Sequence, residues 1–133
     1  MTKKEAAQIL AILKAAYPNS YKMTAEEANG TIAVWCMQFA TTPPDIVLMA
    51  VNKLISSSKF PPSIHEVKNK IGALYWEAYS ALSDSMNELT EQERKQYQRI
   101  YDETREYKFE KCLEPPLRDM LGHGAQFLIG GGE

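Results

Sequence analysis

The sequence predicts an all-α protein, in which a small four-helix N-terminal bundle is followed by a helical, partly flexible C-terminal segment. Three observations support this fold class. At the starts of four apolar segments a Ser or Thr stands three residues ahead of a Glu, which is the capping-box pattern of a helix start. Apolar residues then recur at helical spacing, and proline-containing turns separate the segments by short connections. Helices joined in this way are typical of a compact bundle.

The first two helices each begin at a capping box. Thr2 with Glu5 predicts a helix over about 3–16, which Pro18 and its neighbours stop. Thr24 with Glu27 predicts a second helix over about 25–40. The residues expected on the buried faces are Ala6, Ile9, Leu10, Leu13 and Ala16 in the first helix and Ala28, Ile32, Trp35, Cys36 and Phe39 in the second.

The third helix has a different start signal, Thr42-Pro43-Pro44-Asp45. We expect Thr42 to be the N-cap, proline to lie in the first turn, where no donor is lost, and Asp45 to face the positive end of the dipole. Apolar residues then cover most of the circumference, so this helix is predicted to be the most buried. It should end near 56–58.

A rigid corner is predicted between the third and fourth helices. Pro61 and Pro62 fix two φ angles and remove two N–H donors, so no helix can continue through them. Phe60 has no polar atom and is expected to enter the shared core. Ser63 with Glu66 predicts the start of a fourth helix, whose buried residues would be Ile64, Val67, Ile71 and Leu74, with Ala78 a further candidate.

The character of the chain changes after Gly72. Residues 73–89 contain three aromatic residues, Tyr75, Trp76 and Tyr79, followed by a polar run. Thr90 with Glu93 then starts a highly charged helix over about 91–112. Beyond Glu114-Pro115-Pro116 the chain is rich in glycine and is expected to be mobile. We therefore assign 1–72 to a helical bundle domain and 73–133 to an acidic amphipathic helical segment with a flexible tail.

Charge and cysteine content exclude several classes of protein. The net charge of the 133 residues is −2, but residues 1–72 carry eight Lys and five acids whereas 73–133 carry seven bases and twelve acids. No cluster of Lys and Arg accompanies the basic half, which does not favour tight DNA binding. Cys36 and Cys112 form no metal or redox motif and indicate a reducing compartment. With neither a signal peptide nor a membrane span recognised, we predict a cytoplasmic protein.

Known catalytic and metal-binding patterns are not found. The only dense glycines lie at the C-terminus, with no lysine and no helix after them. His65 has no His or Cys one helical turn away, His123 stands between glycines, and Cys36 has no base near it in sequence. We conclude that the protein is not an enzyme and predict no catalytic, metal-binding or cofactor-binding residue.

The C-terminal segment has an apolar stripe that is too thin to build a core. One interpretation is that it packs back onto the bundle or self-associates, and the other is that it docks into a groove on another protein; the sequence leaves both open. The predicted partner-binding residues are Tyr97, Ile100, Tyr101, Tyr107, Leu117, Met120, Leu121 and Phe127.

Residues 1–72 resemble the phage replicative-helicase loader and inhibitor family. The motifs that carry the resemblance are Lys3-Lys4-Glu5-Ala6 with Ile9-Leu10 and Tyr17-Pro18, the Val34-Trp35 and Phe39 pair, and Lys59-Phe60-Pro61-Pro62-Ser63-Ile64. The resemblance implies an N-terminal helical domain and a C-terminal segment that binds a hexameric DnaB-type helicase in the cytoplasm of a bacterial host. It also implies suppression of the helicase's ATPase and unwinding until an origin-binding initiator takes over the loader.

Three hypotheses follow. The first is a non-enzymatic adaptor that binds a replicative helicase through residues from about 90 to 128, which would order on the partner. The second is a small helical DNA-binding regulator that dimerises through the helix from Tyr97 to Tyr107. It requires Lys53, Lys59, Lys68 and Lys70 to converge on one face. The third is a structural phage protein that assembles through the same helix.

Overall fold

The computed structural model describes residues 1–84, 86 and 88–109, and this part of the chain confirms the all-α prediction. The helices are α1 (Lys3–Ala16), α2 (Ala25–Gln38), α3 (Pro44–Ser57), α4 (Ile64–Ser83) and α5 (Glu91–Glu103), and a 3₁₀ turn follows at Arg105–Tyr107. None of these helices combines the length and the apolar character that a bilayer crossing requires. The glycine-rich end that was expected to be mobile lies outside the described residues.

The capping boxes form as the sequence predicted. In α1 the Glu5 N–H donates to the Thr2 hydroxyl at 3.2 Å, and the Thr2 N–H donates to the Glu5 carboxylate at 2.8 Å. Thr24 and Thr90 make the same reciprocal pair of bonds at the starts of α2 and α5. Each box satisfies two backbone donors that would otherwise lack a partner, which places these helix starts. At its other end α2 stops at Gln38, two residues earlier than predicted.

The predicted cap of α3 is wrong. Pro43, not Thr42, is the N-cap, and its side chain makes no capping hydrogen bond. The Pro43 carbonyl accepts from the N–H groups of Ile46 and Val47 at 3.1 and 3.2 Å. Thr42 instead belongs to the turn after α2: its N–H donates to the Phe39 carbonyl at 3.2 Å, and its side chain is buried. Proline pre-sets the φ angle for the helix start, so a side-chain cap is not required there.

The chain divides into two compact units, Met1–Ile71 and Gly72–Glu133. In the first unit α1 packs against both α2 and α3. Trp35 and Phe39 are buried with ring centroids 5.4 Å apart. The other buried apolar side chains of this unit are Ala6, Ile9, Leu13, Ile46, Val47, Ala50, Val51, Val67 and Ile71. These residues form the hydrophobic core of the unit. Not every residue that the helical spacing assigned to a buried face belongs to it: Ala16 is exposed, and the partly buried ones are Leu10, Ala28, Ile32, Cys36 and Ile64.

The corner between α3 and α4 is rigid, but its aromatic residue does not enter the core. Phe60 is 74% exposed, so the prediction that it is buried is wrong. Pro62 is the buried residue of the corner. The reason is the backbone: the Ser58 hydroxyl bonds to both the N–H and the carbonyl of Phe60, and Ser63 with Glu66 caps α4 from the other side. This fixed path turns Pro62 inward and leaves the phenyl ring in solvent.

Helix α4 is continuous from Ile64 to Ser83, so the change in composition after Gly72 does not interrupt it. Whether a domain boundary separates 1–72 from 73–133 stays a prediction. α5 ends at Glu103, and the prediction of one helix to residue 112 is wrong at its C-terminal end. The Thr104 N–H and hydroxyl both donate to the Ile100 carbonyl, at 3.0 and 2.6 Å. A threonine hydroxyl that bonds to the carbonyl one turn earlier favours a tighter turn, here the 3₁₀ turn at Arg105–Tyr107.

Candidate protein-interaction surface

Helix α5 carries the first three of the predicted partner-binding residues. Tyr97, Ile100 and Tyr101 are half-buried, and every other residue of the helix is exposed. Tyr107 lies in the 3₁₀ turn that follows and is only 7% exposed. A helix with a thin apolar stripe and no fully buried residue depends on neighbouring elements for its stability. Those neighbours are aromatic residues of the same unit.

Four aromatic side chains, Tyr75, Trp76, Tyr79 and Tyr101, form what we call the aromatic cluster. The Tyr101 ring stacks on Tyr75 at 5.0 Å and on Tyr79 at 6.4 Å, with interplanar angles of 21° and 24°. The Trp76 ring meets Tyr75 and Tyr79 edge to face at 5.0 and 5.5 Å. Offset-stacked and edge-to-face pairs are the favourable arrangements of aromatic rings. The cluster therefore holds α5 to the second half of α4.

Polar contacts reinforce this packing. The Trp76 indole N–H donates to the Lys108 carbonyl at 2.6 Å, just beyond the 3₁₀ turn. The Arg105 guanidinium lies over the Tyr101 ring at 5.2 Å, within cation–π range. A hydrogen bond with the Tyr101 side chain, together with burial, raises the pKa of Tyr75 above the ordinary tyrosine value. The neutral form of Tyr75 is thus the one that the cluster favours.

These positions bear on the predicted partner-binding residues. The structure stacks Tyr101 on Tyr75 and buries Tyr107, so both are packed within the second unit. Tyr97 and Ile100 keep part of their surface accessible. The remaining four, Leu117, Met120, Leu121 and Phe127, lie outside the described residues. Partner binding by this set stays a prediction.

Other exposed apolar side chains were not predicted from the sequence. Val34 and Met37 on α2 are 46% and 72% exposed, Phe60 at the corner is 74% exposed, and Phe109 is 66% exposed. Val34 and Met37 are three residues apart and therefore share one face of α2, opposite the buried Trp35 and Phe39. The sequence contains one signal of this exposure: α2 has apolar residues on both faces, whereas a surface helix usually has one apolar stripe.

Two of the four lysines that a DNA-binding surface would require, Lys68 and Lys70, do not share a helix face. The Lys68 ammonium donates to the Gln38 side chain at 2.7 Å and lies 5.9 Å from the centroid of the Phe39 ring. Lys70 is two residues further along the same helix and so projects from a different side of it. Lys53 is exposed on another helix. This arrangement weighs against the DNA-binding regulator.

Grooves on the first unit are lined by apolar residues together with a few charged ones, such as Glu5 and Asp45 in a groove between α1 and α3. Another of about 370 Å³ lies between α1 and α2, with Lys14 as its only charged lining residue and with Tyr21, whose pKa burial raises. The His65 ring lies 3.3 Å from the Asn69 side-chain nitrogen. Within residues 1–84, 86 and 88–109, no three His, Cys, Asp or Glu side chains are grouped so as to hold a metal ion.

Comparison with known proteins gives one family. The family model for the N-terminal domain of the helicase loader/inhibitor of phage SPP1 matches residues 1–68, which is just over half of the chain and lies entirely within the first unit. The match includes the helix-three run and the corner at Phe60. No curated protein and no solved structure matches the chain.

Proposed function

Because the chain belongs to the family of the phage SPP1 helicase loader/inhibitor, we propose that it is a non-enzymatic adaptor of phage DNA replication. It binds a DnaB-type hexameric helicase, inhibits the helicase's ATPase and unwinding, and helps to load it at the origin. The observation that carries this proposal is the family match over residues 1–68. The family is one of helicase loaders and regulators rather than of catalysts.

The proposal also concerns where the helicase is bound. We assign the contact to residues from about 90 to 128, whose predicted contact residues begin at Tyr97 and end at Phe127. Support comes from the thin apolar stripe of α5 and from its exposure, since such a helix can exchange a few intramolecular contacts for a partner at small cost. The site of action would be the cytoplasm of the bacterial host, and an origin-binding initiator would release the loader.

Calorimetric titration of the full chain into the purified host helicase tests the contact. Deletion of residues 90–133 would strip Tyr101 from the aromatic cluster, so its effect would mix binding with folding. Deletion of residues 110–133 leaves α5 and the cluster complete and is the better variant. We expect this deletion to weaken binding by at least roughly 30-fold, because it removes four of the eight predicted contact residues. Undiminished affinity would refute the assignment to the tail.

A second pair of variants addresses the described part of the segment. Tyr97→Ala and Ile100→Ala each remove a half-exposed apolar side chain from α5 without touching the aromatic rings of the cluster. If α5 contacts the helicase, each should weaken binding by roughly 5- to 30-fold. The matched control is Gln96→Ala, which changes an exposed polar residue of the same helix. If all three variants bind the helicase as tightly as the unchanged protein does, the contact does not lie on this face of α5.

The inhibitory role has its own assay. Adding the protein to the helicase with single-stranded DNA should lower the rate of ATP hydrolysis as the complex forms, with saturation at a fixed number of chains per hexamer. ATP hydrolysis by the isolated protein should stay at background. If the helicase binds the protein but hydrolyses ATP at an unchanged rate, the protein is an adaptor without an inhibitory role.

A further inference from the structure

We propose that the corner between α3 and α4 is a second contact site, at which Phe60 inserts into an apolar pocket with an acidic rim on the partner protein. We call the segment from Ser58 to Ser63 the Phe60 corner. The inference rests on the proposed function for the identity of the partner, the hexameric helicase. It adds a contact on the first unit to the one assigned to residues 90–128.

The Phe60 ring is unusually accessible for a side chain of its kind. It is 74% exposed, and within the described residues it makes no aromatic contact. Phenylalanine is among the residues most often buried, and the same segment does bury Pro62. Aromatic side chains are enriched in protein interfaces, where they fill pockets on the partner. An accessible phenyl ring at a defined position is thus a candidate anchor.

Phe60 lies outside any helix, yet hydrogen bonds hold the backbone on both sides of it. The Ser58 hydroxyl accepts from the Phe60 N–H at 3.3 Å and donates to the Phe60 carbonyl at 2.9 Å. The Ser58 carbonyl in turn accepts from the Tyr17 hydroxyl at 2.9 Å, which ties the corner to the end of α1. Pro61 follows directly and fixes the next φ angle. Both sides of Phe60 are therefore held.

The downstream end of the corner is equally fixed. The Ser63 N–H donates to the Glu66 carboxylate at 2.9 Å, and the Glu66 N–H donates to the Ser63 hydroxyl at 3.1 Å. A partner that binds Phe60 consequently orders little beyond the ring itself. Binding elements that are already in their bound conformation lose less conformational entropy on association. Met37 on α2 is 72% exposed, but ordering its long, flexible side chain on a partner costs more conformational entropy than ordering a phenyl ring.

Charge specifies the chemistry of the pocket. Lys59 is exposed, adjoins Phe60 and makes no ion pair with any described residue. The nearest acid in sequence, Glu66, is already bonded in the capping box. The corner therefore offers one phenyl ring beside one cation, which fits a pocket flanked by carboxylates. We assign that pocket to the helicase because the Phe60 corner lies inside residues 1–68, the part of the chain that carries the family match.

The test is calorimetric titration of full-length variants into the purified host helicase. Phe60→Ala should weaken binding by roughly 30-fold or more, as for an interface anchor. Met37→Ala is the matched control, since it truncates an equally exposed apolar side chain of the same unit, and it should leave the affinity within about twofold. Lys59→Gln should weaken binding at low salt and reduce its salt dependence.

A further variant separates rigid presentation from the ring itself. Tyr17→Phe removes the hydroxyl that bonds to Ser58 but leaves the surface of the corner unchanged. It should weaken binding by roughly 3- to 10-fold, because Phe60 then has to be ordered on association. Phe60→Ala removes a side chain that is mostly in solvent, so the melting temperature of this variant should match that of the unchanged protein.

The outcomes separate this inference from the proposed function. Full affinity of Phe60→Ala, or an equal loss for Met37→Ala, would overturn the Phe60 corner as a contact site. If deletion of residues 110–133 weakens helicase binding while Phe60→Ala binds with full affinity, the tail is a contact site and the Phe60 corner is not. If only Phe60→Ala weakens binding, the Phe60 corner is a contact site and the tail is not. Failure of the unchanged protein to bind the helicase would reject the proposed function and, with it, the assigned partner of the corner.

Discussion

Replacing Trp76 with Phe isolates one hydrogen bond that holds the second unit together. The indole N–H donates to the Lys108 carbonyl at 2.6 Å in a partly buried setting, and phenylalanine keeps an aromatic ring while removing the donor. A hydrogen bond of this kind contributes about 0.5–1.5 kcal/mol net. The smaller ring also loses part of its edge-to-face contact with Tyr75 and Tyr79. We expect a local destabilisation of about 1–2 kcal/mol.

Native-state hydrogen exchange is the suitable assay, because it reports the opening of each helix separately. The amides of α5 should lose protection by roughly 5- to 30-fold, whereas those of α1 should keep theirs. Tyr79→Phe is the control, since it keeps the ring of a cluster residue whose hydroxyl makes no hydrogen bond to a described residue. Unchanged protection in α5, or the same loss in α1 and α5, would contradict the local role of Trp76.

Three further predictions concern stability. Leu13→Ala, which truncates a fully buried side chain of α1, should lower the free energy of unfolding by about 2–5 kcal/mol in urea titrations, and a loss below about 1 kcal/mol would contradict its place in the core. Ser63→Ala removes the cap of α4, so it should lower the free energy of unfolding by about 1 kcal/mol and lower the melting temperature. Ser63→Asp should restore most of the lost stability, because aspartate also caps helices. Backbone bonding to Thr2 lowers the pKa of Glu5, so the stabilising contribution of the carboxylate is present above the ordinary glutamate range and is lost as the pH falls through the lowered pKa. An NMR titration in which Glu5 had an ordinary pKa in the folded protein would disprove this.

The helix starts were predictable because their cause is local. Thr2 with Glu5 and Ser63 with Glu66 are residues three apart that bond to each other's backbone, so the pattern in the sequence contains the whole interaction. The same holds for the helical spacing of the buried face of α1. Short-range hydrogen bonds and periodicity thus account for the fold class and for most of the helix boundaries.

Features that depend on distant partners were not predictable in this way. The exposure of Phe60 follows from Ser58, whose carbonyl is bonded to Tyr17, 41 positions earlier in the chain. The stacking of Tyr101 on Tyr75 likewise joins residues of two helices, and the sequence only showed that both carry aromatic side chains. The sequence therefore shows which residues are aromatic, while the partners of each aromatic ring required the tertiary structure.

The uninterrupted course of α4 has a practical consequence for anyone who shortens this protein. The family match stops at residue 68, the fifth residue of that helix, and a truncation there would leave a frayed end and discard Ile71, which is fully buried in the first unit. A stop codon after Phe109 is better placed, because it keeps α4, α5 and the aromatic cluster complete.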